Sequence, residues 1–96
     1  MPAARFDELI HPSTRLSIVA LLAAADWVDF AFVRDELGLS DSALSKQLST
    51  LEDAGYVRIE RAVSDRRRRV KARLTSEGRA AFDGHVAALR AIVGSG

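Results

Sequence analysis

The sequence predicts a mainly α fold with one small β-hairpin, in the order helix, short strand, helix, helix, strand, strand, helix. Three observations predict it. Apolar residues recur at helical spacing in successive stretches, two of which are separated only by Gly38-Leu39-Ser40. Two alternating runs follow, Tyr56 to Val63 and Arg69 to Leu74. Ser, Thr, Asp or Gly stands at most of the junctions, where helix caps and stops belong.

Phe6 to Ile10 reads as a short helical lead-in, ended by His11-Pro12. Ser13 or Thr14 can cap a helix running to about Ala25, with Leu16, Val19, Leu22 and Ala23 at helical spacing. Ile18 and Leu21 widen that stripe, which predicts a central helix. Asp26-Trp27-Val28-Asp29 fits a strand of two or three residues, with Trp27 expected in the core or against the hairpin. Asp29 can cap a second helix, Phe30 to Leu37, and Gly38 supplies the left-handed residue that ends it. Ser40 caps a third helix, Asp41 to Ala54, stopped by Gly55. A three-residue turn containing glycine between two helices is the helix-turn-helix spacing.

In the hairpin, Val57, Ile59 and Val63 share a face of the first strand, and Val70, Ala72 and Leu74 share a face of the second. Arg69, Lys71 and Arg73 lie opposite. Asp65 can bond to backbone amides of the turn. Thr75 can cap the last helix, with Glu77 in its favourable first turn. Gly94-Ser95-Gly96 reads as a frayed tail. The whole order is that of a winged helix-turn-helix: one domain over residues 1–96, a wing at about 60–72 and a C-terminal dimerisation helix at about 76–93.

Bulk properties bound the function. A chain of 96 residues has room for one core. With no cysteine, disulfides and thiolate zinc sites are excluded, and a reducing cytoplasm is the expected compartment. No apolar run approaches the ~20 residues that span a bilayer, and the start of the chain lacks the basic, then apolar, pattern of a signal peptide. His11 and His85 have no neighbouring ligand pattern, so no metal is expected. No Gly-rich phosphate loop or catalytic constellation is visible, so neither a cofactor nor enzyme activity is expected.

Net charge is only +1, but residues 58–79 carry nine Arg or Lys against three acids, which makes that segment +6 and the remainder −5. A concentrated positive field suits a surface that meets nucleic acid. Arg66, Arg67, Arg68, Arg69, Lys71 and Arg73 place six cations in eight residues. They repel one another unless phosphates answer them. Arginine also suits a narrow minor groove. The competing readings are a solvated basic hairpin tip, pairing with acids near the N-terminus, and an acidic protein partner. RNA is disfavoured because the sheet has no exposed aromatic pair.

On the third helix, Leu44, Leu48 and Leu51 form one stripe. Ser42, Lys46, Ser49, Thr50 and Asp53 face away from it, with Ser45 at the flank. Short hydroxyls and one cation let a helix enter a major groove closely. A merely solvated polar face is the alternative. Ser40 is explained by capping, though it borders this face. Gln47 lies nearer the core side but can still reach an adenine edge or a phosphate.

Several motifs support a family resemblance. Leu37-Gly38-Leu39-Ser40-Asp41-Ser42-Ala43-Leu44-Ser45-Lys46-Gln47-Leu48 resembles the helix-turn-helix of MarR-type and ArsR-type bacterial regulators. Leu51-Glu52-Asp53-Ala54-Gly55-Tyr56-Val57 is similar to their exit from the recognition helix. Ser64-Asp65-Arg66-Arg67-Arg68-Arg69, then Leu74-Thr75-Ser76-Glu77-Gly78-Arg79, resembles their wing and following helix. His11-Pro12-Ser13-Thr14-Arg15-Leu16 is similar to a common opening of the superfamily. The resemblance is to minimal single-domain members and implies a transcriptional regulator on double-stranded DNA. MarR-type chains have five residues between Asp-x-Arg and Leu-Thr, and this chain has six. Arg66, Arg67, Arg68 and Arg69 are therefore rivals for the groove-contacting place.

The last helix carries Phe82, Val86, Leu89 and Val93 at spacings of four, three and four. We expect a homodimer seam there, assisted by Phe6, Leu9 and Ile10. The alternative is burial against the first helix of the same chain. A two-fold dimer would present two recognition helices to a palindromic site, with repression by promoter occlusion. A protein-interaction module without DNA binding is the alternative function. A small-molecule effector has no residue pattern in its support.

Overall fold

A computed structural model describes residues 3–94. Its elements are α1 (Ser13–Ala23), β1 (Val28–Asp29), α2 (Phe30–Leu37), α3 (Asp41–Asp53), β2 (Val57–Ser64), β3 (Arg67–Leu74) and α4 (Ser76–Gly94). The order is the expected one. The antiparallel sheet runs β1-β3-β2, so β3 is central. Of the expected tail, Gly94 is the last residue of α4, and Ser95 and Gly96 lie outside the described residues.

Local chemistry explains most boundaries. Gly38 ends α2 at φ 64°. Ser40 Oγ accepts from the Ala43 amide at 3.1 Å and opens α3. Gly55 follows α3 at φ 81°. Thr75 Oγ1 accepts from the Gly78 amide at 2.9 Å and opens α4. Three expectations are corrected. Helix α1 follows Pro12 with no side-chain cap, so Ser13 and Thr14 lie inside it, and it ends at Ala23. Asp29 precedes α2 without a capping bond. Residues 6–10 form a turn rather than a helix, because Asp7 Oδ1 takes the Leu9 and Ile10 amides at 2.9 and 3.3 Å.

The core lies where the three helices of the front half meet the sheet. Ile18, Val19 and Leu22 of α1, Val33 of α2 and Leu44, Leu48 and Leu51 of α3 close on Val57, Ala72 and Leu74. Ile10 is also fully buried.

Residues 3–11 form a strap over α4. The Arg5 amide donates to the Gly84 carbonyl at 2.9 Å. The Asp7 amide donates to His85 Nδ1 at 3.0 Å, and Tyr56 Oη donates to Asp7 Oδ2 at 2.6 Å. Phe6 packs on His11 and His85 with ring centroids 4.7 and 4.8 Å away. His85 is fully buried. Because Nδ1 accepts, neutral His85 carries its proton on Nε2 and donates it to His11 Nδ1, 3.3 Å away. Protonating His85 puts two N–H groups face to face at Nδ1.

Burial, then the neighbouring His11 charge, holds the His85 pKa below its ordinary 6.5, while Asp7 and Glu8 oppose that shift. The unfolded chain therefore binds this proton first as pH falls. The stability His85 contributes is complete above about 6.5 and is lost below it. Denaturant midpoints at pH ~7.5 and ~5.5 should show this drop, and a smaller one in His85→Gln. Equal drops in both chains would rule out His85 as the titrating group.

Candidate nucleic-acid interface

Ser42, Ser45, Lys46 and Ser49 are all exposed on α3. Their i, i+3, i+4, i+7 spacing places them on one helix face, opposite the buried Leu44, Leu48 and Leu51. Ser40 stands at the rim, committed to its cap and 3.3 Å from Ser42 Oγ. Thr50 is half-buried and donates its hydroxyl to the Lys46 carbonyl at 3.1 Å. Gln47 turns inward, where its Oε1 accepts from Arg15 Nη1 at 2.9 Å.

Asp41 suits the dipole at the start of α3 but would repel a phosphate there. Arg34 answers it, donating to Asp41 at 2.9 Å and to Asp35 at 2.8 Å. The two carboxylates raise the Arg34 pKa still further, and Arg34 holds the Asp35 carboxyl below the usual range. Exposed ion pairs stabilise a fold little. The effect here is on the field: Arg34 shares its one positive charge between two carboxylates, which weakens the negative charge bordering the reading face without cancelling it. Arg34 was not singled out from the sequence. The signal was its place seven residues before Asp41, across the turn.

The wing is a two-stranded ribbon beyond the three-stranded base. The register ends at Ser64↔Arg67, which leaves Asp65-Arg66 as a two-residue turn with φ of 52° and 64°. Two left-handed residues match the twist of a tight hairpin. Asp65 serves the turn through its backbone conformation, with no side-chain bond among the described residues. Arg66 stands at the apex.

Val63 pairs with Arg68, and Arg61 with Val70, on the face that continues the core. Ala62 pairs with Arg69 and Glu60 with Lys71 on the other, which Arg67 shares. Arg66 to Arg69 are exposed, and none has a side-chain partner among the described residues. Lys71 differs from them. It is half-buried in the central strand, with Asp29 in register on one side and Glu60 on the other. Arg73 is anchored at the base, 3.2 Å from Asp26 and 5.4 Å above the Trp27 ring. Trp27 thus packs against the hairpin.

Of the residues expected to assist a dimer seam, Ile10 is fully buried within the chain and cannot touch a partner directly. Leu9 is half-buried against the core, and Phe6 is 40% exposed but engaged with the two histidines. On α4, Phe82, Val86 and Leu89 are half-buried, and Val93 is 82% exposed.

The domain model described as a winged helix DNA-binding domain matches residues 14–93. The chain belongs to this family. An uncharacterised protein of Methanocaldococcus jannaschii is 28% identical over 79 residues, covering 82% of this chain and 86% of that protein. Among solved structures, a transcriptional regulator homologue from Pyrococcus horikoshii superposes with a TM-score of 0.87 at 21% identity, covering 93% of this chain and 88% of that one. A MarR-family transcriptional regulator from Silicibacter pomeroyi gives 0.69 at 30% identity, covering 86% of this chain. This chain spans about half of that regulator, 55% of its length.

The family and these neighbours make the chain a DNA-binding domain of the transcriptional-regulator type rather than an enzyme. Among the described residues no helix is long and apolar enough to cross a membrane, and no group of three or more His, Asp or Glu is placed to hold a metal ion.

Proposed function

We propose that this winged helix is a sequence-specific transcriptional regulator of double-stranded DNA, cytoplasmic, acting as a homodimer and repressing by occluding a promoter. In this reading α3 enters the major groove and presents Ser42, Ser45, Lys46 and Ser49 to base edges and phosphates. Arg66 to Arg69 reach the backbone and the adjacent minor groove. The observation that carries the reading is the pairing of two unlike surfaces. A small, polar helix face reads closely, and four arginines without side-chain partners among the described residues, at the end of a projecting ribbon, attract. A second copy joined through Phe82, Val86, Leu89 and Val93 of α4 would place two such surfaces about a two-fold axis.

Selection of duplexes from a random pool at fixed salt tests this. The expected result is an enriched consensus with two inverted half-sites about one helical turn apart. An enriched single half-site would remove the dimer from the reading. No enrichment, with weak binding to every duplex, would remove sequence-specific regulation.

A further inference from the structure

Arg15 stands in the first turns of α1, half-buried, and forks between two neutral acceptors. Its Nε donates to the Leu9 carbonyl at 2.6 Å and its Nη1 to Gln47 Oε1 at 2.9 Å. Among the described residues it has no carboxylate within ion-pair distance. A guanidinium holds two such acceptors in one fixed plane, whereas an ammonium cannot impose that geometry. The Leu9 end is itself fixed. The Leu9 amide donates to Asp7 Oδ1, and Asp7 is held by His85 and Tyr56. The Gln47 end lies on α3, one residue from Lys46. One side chain thus ties the recognition helix to the N-terminal strap.

The same contact decides what Gln47 can offer. Arginine only donates, so the amide oxygen must face it and the NH2 group is left for other partners. Reading adenine in the bidentate manner takes the oxygen and the nitrogen of one amide together. One of the two lone pairs of the Gln47 oxygen is engaged by Arg15, and that bond sets the direction of the oxygen. The NH2 group is the part left wholly open, and what it offers is donation, to a phosphate oxygen or to an acceptor edge such as guanine O6 and N7 or thymine O4.

We propose that Arg15 is a positioning residue for DNA reading: it sets α3 against the N-terminal segment and makes Gln47 a donor toward the DNA. This rests on the role of α3 proposed above. The test therefore has two arms on the full chain. In the first, without DNA, the side-chain amide signals of Gln47 are compared in the parent, Arg15→Lys and Arg15→Met. Both variants should move those signals, and α3 amides should exchange about tenfold faster while wing amides do not. Unchanged Gln47 signals would overturn the clamp.

In the second arm, affinities for the selected and a scrambled duplex are measured over a salt series. Arg15→Met, Arg15→Lys and Gln47→Met should each reduce the preference for the selected duplex about tenfold. Affinity for the scrambled duplex and the salt slope should stay as in the parent. The double variant should be no worse than either single one. A retained preference, additive losses, or a uniform loss with a shallower slope would each overturn the proposal; the last would make Arg15 a phosphate ligand. If Arg15→Met does not fold, Arg15→Lys carries the first comparison, and Arg15→Lys with Gln47→Met carries the second. A parent that binds both duplexes alike would defeat the sequence-specific reading, and the first arm would still decide the clamp.

Discussion

Replacing Arg66, Arg67, Arg68 and Arg69 together by alanine is expected to weaken binding to every duplex by about a hundredfold at moderate salt: that is ~2.8 kcal/mol in all, or ~0.7 kcal/mol for each of four exposed cations, within the range of exposed charge pairs. It should also flatten the salt dependence, since each phosphate contact given up takes about 0.9 from the slope of log affinity against log salt. The size of the effect follows from where the charge is. Outside residues 58–79 the chain carries −5, so little else attracts a polyanion. These four arginines are exposed, without side-chain partners among the described residues, and beyond the part of the sheet that packs on the core. Their removal should leave the melting temperature unchanged or slightly higher, because like charges no longer face one another.

The preference among sequences should largely survive, because phosphate contacts position and base contacts specify. Alanine at Lys46 or Ser49 should do the reverse, lowering the preference more than the overall affinity. The hairpin register also separates the rivals within the wing. Arg67 and Arg69 lie on one face, Arg68 on the other and Arg66 at the apex. A loss confined to the Arg67/Arg69 pair, to Arg68 or to Arg66 would identify the face that meets DNA. Unchanged affinity and slope in the fourfold variant would exclude the wing as a DNA contact.

The part of the fold legible in the sequence is mostly local. The Ser40 cap, the left-handed Gly38 and the stop at Gly55 act within a few residues of themselves, so the helix-turn-helix could be located without knowing the rest of the chain. Alternation places the start of the second wing strand at Arg69, yet it begins at Arg67. The missing two residues are both arginine, so alternation gives no sign of them. The tight turn at Asp65-Arg66 also lacks the glycine that usually announces such a turn.

The strap was not legible at all. Its key contact joins Asp7 to His85, 78 residues away, and no local pattern encodes that pairing. His85 lies on a helix that also carries Glu77, Arg79, Asp83 and Arg90, and no spacing in the sequence links it to His11 or Asp7. Ile10 escapes a sequence reading for the same reason: its burial within the chain depends on how residues 3–11 fold back. Gln47 and Arg15 were each visible in the motifs, but their bond spans 32 positions and took the fold to reveal.

Gly78→Ala is expected to damage the fold strongly, although alanine in a helix ordinarily gains ~1 kcal/mol over glycine. A Cβ on Gly78 would lie 2.0 Å from the Tyr56 carbonyl oxygen and 2.9 Å from its carbon. Both are backbone atoms, and they are held from two sides. The Tyr56 oxygen accepts from the Thr75 amide at 3.0 Å, and the Tyr56 amide donates to the Leu51 carbonyl at 2.9 Å. Thr75 Oγ1 also donates to the Gly55 carbonyl at 2.6 Å while capping Gly78. The end of the recognition helix and the start of α4 are thus bonded through the Gly55-Tyr56 and Thr75-Gly78 backbone, and a methyl group has no room without separating them.

The overpacking should cost about 3 kcal/mol, out of the ~5–15 kcal/mol that a small domain has in total. At ~4–8 °C per kcal/mol, the melting temperature should fall by at least ~12 °C. Gly84→Ala supplies the comparison. Its Cβ would lie 3.0 Å from the Ala3 carbonyl oxygen, so the neighbour must give by only a few tenths of an ångström and its melting temperature should fall far less. A Gly78→Ala chain as stable as the parent, or more stable, would show that helix propensity outweighs this close approach. The junction would then not be what fixes the end of α3 and the start of α4 in one frame.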